Sequence, residues 1–280
     1  MTAKILDGKT LALQIRQQLK QKISSLQSAP CLAVIIVGNN PASEIYVKSK
    51  EKACIDVGIT PKTYALDENT SQADLLNLIN KLNNSKEING ILVQLPLPKH
   101  LDTTTILQSI TPSKDVDGFH PLNSGYLTQN TNQGYIPCTP KGIIRLIKET
   151  NLDLTGLNAV VIGRSQIVGL PIAQLLIQQN CTVTITHSKT KNLPEICKNA
   201  DVLVSAIGKP EFVTKDYIKP NAIIIDVGIN RTENGLKGDV CYQDGLELAQ
   251  HITPVPGGVG PMTIAMLLEN TYEAFLKQNS

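Results

Sequence analysis

Residues 160–171 read VVIGRSQIVGLP, an apolar run that reaches a glycine, crosses a polar joint and enters a second apolar stretch at another glycine. VVI suits a strand buried on both faces, and GLPIAQLLIQQN (169–180) suits a packed helix. A strand that passes into a helix through such a turn is where a Rossmann domain aims backbone N–H groups and a helix N-terminus at a pyrophosphate. The pattern here is G-x-S-x-x-x-G-x-P. Gly163 suits the tight turn and Gly169 the close approach of helix to strand, while Ser165 replaces the usual second glycine. Taken alone, the stretch also fits an ordinary β–α turn.

The alternation continues on both sides. Downstream, CTVTITHS, NADVLVSAIG and NAIIIDVGIN are three further apolar runs with polar joints. Upstream, Thr139-Pro140 opens the helix-type KGIIRLIKET. Nearer the N-terminus, CLAVIIVG, a helix over 41–57, TPKTYAL, SQADLLNLINKLN and INGILVQLPLP read strand, helix, strand, helix, strand. That order implies a parallel sheet. Residues 96–139, rich in Pro, Gly, Thr and Asn, read as loop and crossover rather than core. MTIAMLLENTYEAFLKQ is an amphipathic helix able to pack on either domain. The expectation is an α/β protein of two domains. Residues 1–139, joined by the C-terminal helix 262–280, form the first, and residues 140–261 form a Rossmann-like second.

Composition narrows the function. Across 280 residues the hydrophobic content is 41%, the charged content 18% and the net charge +2, a globular profile with no electrostatic case for nucleic acid or an acidic membrane. Tryptophan is absent, so base-stacking platforms are not evident. Six scattered cysteines form no CxxC pair and four histidines show no metal spacing, so no metal site is expected. No signal peptide is expected from the interrupted start MTAKILDGKTLALQIRQQLKQKI, and no apolar run approaches the ~20 residues that span a bilayer. A reducing cytoplasm is the expected location.

The segment after the second strand selects the nucleotide. NAD-binding domains place an acid about 20 residues past the glycine turn to hold the ribose 2′-OH. Here THSKTK (186–191) contains no carboxylate. Arg164, Ser165, His187, Ser188 and nearby lysines suit a 2′-phosphate instead, so NADP is favoured over NAD.

The N-terminal half raises a different question at EIYVKSKEKACIDVG (44–58). Asn40-Pro41 reads as a helix start and Gly58 as its stop. Tyr46, Lys50, Ala53 and Val57 then share one face. A lysine on that face either snorkels along the surface or is partly desolvated, which favours its neutral form and makes it usable in proton transfer.

Seven motifs now stand together: VGNNPASEIYVKSK, GILVQLPLP, KDVDGF, PCTPKG, GRSQIVGLP, DVGIN and PVPGGVGPMT. In order and approximate spacing the chain resembles the bifunctional methylenetetrahydrofolate dehydrogenase/cyclohydrolase family from about residue 5 to 275. The resemblance implies a folate cleft between an N-terminal catalytic domain and an NADP domain. It implies that Lys50 is catalytic, that Tyr46 packs on the folate, that Gln94 positions or tunes the lysine, and that Asp117 holds the pterin. The residues alone do not choose between Asp117 and Asp115, the other acid of that loop. The resemblance further implies cofactor contacts at Gly163, Arg164, Ser165, Ser188 and Ile229, a folate-lining loop at Pro256, Gly257 and Gly258, and a homodimer. Asn39-Asn40-Pro41 departs from the acid that many relatives carry. The implied function is oxidation of 5,10-methylenetetrahydrofolate with NADP⁺, followed by hydrolysis of the methenyl product to 10-formyltetrahydrofolate. Its rivals are a non-catalytic binding protein, a monofunctional NAD-dependent dehydrogenase and a shikimate-type dehydrogenase.

Overall fold

The computed structural model describes residues 2–131, 133–233 and 235–279 and divides into two compact units. One holds the residues up to Leu13 together with Thr139–Thr263; the other holds Gln14–Cys138 and the residues from Ile264 onward. Among the described residues the strands are β1 (Lys4–Ile5), β2 (Cys31–Val37), β3 (Thr60–Leu66), β4 (Gly90–Val93), β5 (Asn158–Ile162), β6 (Thr182–Thr186), β7 (Val202–Ser205), β8 (Ile223–Asp226), β9 (Asn230–Thr232), β10 (Gly235–Lys237) and β11 (His251–Ile252).

In the unit built on Gln14–Cys138, β2 lies between β3 and β4 and runs parallel to both. All seven residues of β2 are buried, as expected of an unbroken apolar run covered on both faces. The helix Gln72–Asn84 sets Leu75, Ile79 and Leu82 into a core with Ala33, Ile35, Ile91 and Val93. Their four- and three-residue spacing is that of one helix face. At the edge, β3 is partly exposed and tolerates Pro61.

The segment 96–139 is more structured than its composition suggests. It contains the helices Thr103–Gln108 and Pro121–Thr128, and Leu101, Ile106, Ile110 and Val116 are buried. Both helices are too short to show a periodicity, and their caps at Asp102 and His120 resemble turn residues in sequence. Lys114 accepts from the Ile91 N–H at 2.7 Å, laying this chain beside β4. The Asn270 amide of the terminal helix Val259–Asn279 donates to the carbonyls of Val116 (2.8 Å) and Ile136 (3.0 Å), which fixes the segment's path.

The other unit is a six-stranded parallel sheet in the order β1-β11-β8-β7-β5-β6. From β5 the chain moves outward to β6, then returns to β7 on the far side of β5. The order therefore reverses between β5 and β7, where open α/β sheets bind ligands beyond the strands' carboxyl ends. The sequence reading put residues 1–13 with the N-terminal domain, but β1 pairs with β11 in this second sheet. Two strand residues joined through backbone, with Leu6 N donating to Ile252 O at 2.8 Å, leave no side-chain pattern to read. The antiparallel β9–β10 hairpin was likewise not anticipated.

Candidate active site

Lys50 lies on the helix Pro41–Val57, which the sequence delimits at both ends. Asn40 Oδ1 accepts from the N–H groups of Ala42 (3.0 Å) and Ser43 (3.1 Å), Pro41 follows, and Gly58 stops the helix at φ 91°. The buried residues are Ser43, Val47, Lys50, Ala53, Cys54 and Val57, whereas Lys48 and Lys52 are exposed. The covered face is thus rotated from the expected one. Tyr46 sits at its margin, 39% exposed, and partial burial raises its phenol above the ordinary value.

Lys50 is only 9% exposed. Its Nζ donates to Gln94 Oε1 at 3.0 Å. Gln94 follows β4, where its N–H continues the ladder to Ile35 O at 2.8 Å, and its own amide N–H donates to Leu95 O at 2.6 Å. That second bond settles which amide atom faces the lysine: the oxygen. The result is a buried primary amine held by a neutral acceptor.

The two acids of the KDVDG loop have different tasks. Asp115 is buried, and its oxygens accept from Gly118 N (3.2 Å), His120 N (2.7 Å) and Asn123 Nδ2 (2.8 Å). It is a loop brace. Burial raises its carboxyl despite those N–H groups. Asp117 accepts from the Cys138 thiol; burial pushes it up to about 6, and the Lys50 charge pulls the other way. Cys138 Sγ also reaches Val116 O at 3.3 Å. Sequence reasoning gave Cys138 no role, although the PCTP motif contained it. Lys50 and Gln94 thus meet through a hydrogen bond, and the lysine charge reaches Asp117.

In the other unit, Gly163 and Gly169 make the turn at the carboxyl end of β5. Gly163 has φ 122°, and a Cβ there would lie 2.5 Å from Ala206 O; one at Gly169 would lie 2.3 Å from Gly163 O. Only glycine keeps these backbones so close. Ser165 Oγ accepts from the N–H groups of Val168 (3.2 Å) and Gly169 (3.3 Å), so it braces the turn from within. Arg164, Ser188 and Lys189 are exposed, and β6 ends at Thr186, with His187 next and no carboxylate. This donor set fits a dinucleotide with a 2′-phosphate. Ile229, 46% exposed, follows β8.

The loop 254–258 is held by the N-terminal segment of its own unit. Gly257 O accepts from Lys9 N at 2.9 Å, and a Cβ on Gly8 would lie 1.8 Å from Gly258 O. The carbonyls of Gly257 and Gly258 are therefore turned toward this helix start, while Pro256 is exposed. Among the described residues no group of His, Cys, Asp or Glu could hold a metal ion, and no helix is long and apolar enough to cross a membrane.

A parallel sheet with a glycine turn beside its switch point and no acid after β6 is the arrangement of a nicotinamide-nucleotide oxidoreductase, and the other unit adds a buried amine and a carboxyl. Residues 6–117 match the catalytic domain of the tetrahydrofolate dehydrogenase/cyclohydrolase family and residues 137–279 its NAD(P)-binding domain, and the chain belongs to this family. It is 56% identical over 278 residues to the bifunctional protein FolD of Acetivibrio thermocellus, covering 98% of this chain and 97% of that one. The crystal structure of the bifunctional FolD dehydrogenase/cyclohydrolase from Campylobacter jejuni superposes with a TM-score of 0.96 at 49% identity, over 98% and 99% of the two chains. The Trypanosoma brucei enzyme, solved with NADP cofactor and inhibitor, gives a TM-score of 0.95 at 36% identity, over 99% and 98%.

Proposed function

We infer that this chain carries both activities of its family, oxidising 5,10-methylenetetrahydrofolate with NADP⁺ and hydrolysing the methenyl product to 10-formyltetrahydrofolate. The observation that carries the reading is the buried Lys50 held by Gln94 Oε1 at 3.0 Å, its charge reaching Asp117.

NADP⁺, when bound, accepts the hydride from the methylene carbon, and this step depends on placing the two rings in contact. Arg164 and Ser188 receive the 2′-phosphate, the turn at Gly163 brings backbone N–H groups to the pyrophosphate, the Ser165 hydroxyl is free to donate to it, and Ile229 contacts the nucleotide. On the folate side, Tyr46 packs against the ring system. The two oxygens of Asp117 accept the parallel N–H pair of the aminopyrimidine edge.

In the hydrolysis, a water oxygen bonds to the methenyl carbon and loses a proton to Lys50. The carbinol then loses its second proton as the C–N bond breaks and the departing nitrogen is protonated. One proton is released overall. Gln94 keeps Nζ aimed at these atoms throughout. The finer parts of this reading are a homodimer, which is the family expectation, and a cytoplasmic location. The latter is supported by six free cysteines, five of them buried.

A paired assay tests the function. Wild-type protein and Lys50→Met are given 5,10-methylenetetrahydrofolate with NADP⁺ or NAD⁺, and separately the methenyl compound alone. Reduction of NADP⁺ with methenyl hydrolysis, the hydrolysis being lost by about 10²–10⁴-fold in the variant, is the expected result. Oxidation without hydrolysis in the wild type overturns the role given to Lys50. No turnover in either arm moves the protein to a binding role. Sedimentation velocity checks the dimer.

A further inference from the structure

Two carboxylates outside this machinery are buried deeper than any of its members. Asp226 ends β8 and is 4% exposed; Asp239 follows the β9–β10 hairpin and is fully buried. Most of the donors they hold are backbone N–H groups, joined at Asp239 by the Ser205 hydroxyl and the Asn230 amide.

Asp239 Oδ2 accepts from the N–H groups of Ile207 (2.8 Å) and Gly208 (3.2 Å) and from Ser205 Oγ (3.4 Å). Its Oδ1 accepts from Lys209 N (2.9 Å) and Asn230 Nδ2 (3.0 Å). One side chain thus ties the loop leaving β7 to the residue after Ile229. Asp226 fixes Asp239 in turn: its Oδ1 accepts from Asp239 N (2.8 Å) and Gly228 N (2.9 Å), and its Oδ2 from Val240 N (2.9 Å). The glycines are reciprocal. A Cβ on Gly228 would lie 2.2 Å from Asp239 Oδ1, and one on Gly238 would lie 1.9 Å from Asp226 Oδ2. Each strand leaves open the space that the other strand's carboxylate fills.

The loop held by Asp239 is the one the glycine turn rests against, since Gly163 approaches Ala206 O so closely that no side chain fits there. Ala206 N also donates to Ile162 O at 2.9 Å, which joins the loop to the end of β5. We propose that Asp226 and Asp239 are positioning residues for the dinucleotide site, setting the loops after β7 and β8 on either side of Ala206 and Ile229. The inference rests on the reading of Gly163 and Ile229 as nucleotide contacts. Neither carboxylate touches the nucleotide; both act through backbone that does. Charge-assisted N–H bonds of this kind are the stronger class, and their removal leaves several buried donors unpaired.

Asp239→Asn separates this from general support of the fold, because methenyl hydrolysis needs no nucleotide. KM for NADP⁺ should rise at least about tenfold, with kcat at saturating NADP⁺ and methenyl hydrolysis both within about twofold of wild type. An unchanged KM, or equal losses in both activities, overturns the proposal. If Asp239→Asn does not fold, Asn230→Ala decides: it removes one donor and leaves the carboxylate bound to the others. KM for NADP⁺ should then rise about threefold with hydrolysis unchanged, and no rise overturns the proposal. Failure of the functional reading looks different, because the wild type itself would then show neither activity.

Discussion

The two units bring their groups to a site by different means. In the unit of Gln14–Cys138, side chains on separate elements converge: Lys50 from a helix, Gln94 from the end of β4 and Asp117 from a braced loop. In the unit of β5–β8, the feature presented is backbone, at Gly163, Gly169 and the loop after β7, and side chains such as Asp239 serve to hold that backbone. The difference teaches which substitutions each site tolerates. A side-chain site fails when a functional group is removed. A backbone site fails when one methyl group is added.

The sharpest test of the first half of this contrast is Gln94→Leu, which deletes the acceptor for Lys50 Nζ and keeps the volume. Hydrolysis of the methenyl substrate should fall about a hundredfold, with a smaller loss in hydride transfer, which asks no proton of the lysine. Equal losses in both reactions would break the assignment of Gln94 to the lysine. Gly163→Ala tests the second half. With φ at 122° and Ala206 O at 2.5 Å from the new methyl, affinity for NADP⁺ should fall by at least about tenfold, since the left-handed conformation alone costs about 1–2 kcal/mol before the clash. Isothermal titration reads this, and retained methenyl hydrolysis shows that the damage is local.

The pH dependence of folate binding is a milder probe. Asp117 is raised to about 6 by burial, so it is ionised above that pH and neutral below it. A carboxylate that must accept two N–H groups binds only when ionised. KM for the folate should be flat from pH 7 to 8 and rise about tenfold between pH 7 and pH 5. A flat profile down to pH 5 would give the pterin another partner. The smallest effect is expected at Asn40→Ala, which removes the cap bonded to Ala42 and Ser43. Stability should fall by about 1 kcal/mol with activities unchanged, visible as a few degrees in Tm. A loss of hydrolysis without loss of Tm would mean that the cap aims Lys50 as well as starting its helix.

How much of this was legible depended on how local each signal is. Lys50 could be singled out because Asn40-Pro41 and Gly58 delimit its helix and spacing sets its face. Tyr46 was placed too centrally on that face, because Ser43, Val47 and Cys54, not the aromatic, turned out to define the covered arc. Asp115 and Asp117 could not be separated by residue type; only the approach of His120 N and Asn123 Nδ2 shows that one is occupied. The glycine turn was legible as a pattern, yet the need for Gly163 comes from Ala206, far along the chain. The same holds for Asp226 and Asp239. Their importance lies in a meeting of strand ends that no short window contains.

The placement of β1 bears on how the chain comes to be made. Lys4 pairs with His251, so β1, an edge strand of the six-stranded sheet, is made well before the neighbour it pairs with. Between them the unit of Gln14–Cys138 is synthesised without interruption, needing only the terminal helix from Ile264 to complete it. Pairings between distant parts of a chain form slowly, and a strand left without its neighbour offers an open edge meanwhile. Two residues of strand keep that edge short during translation, and the sheet closes only once β11 has been made.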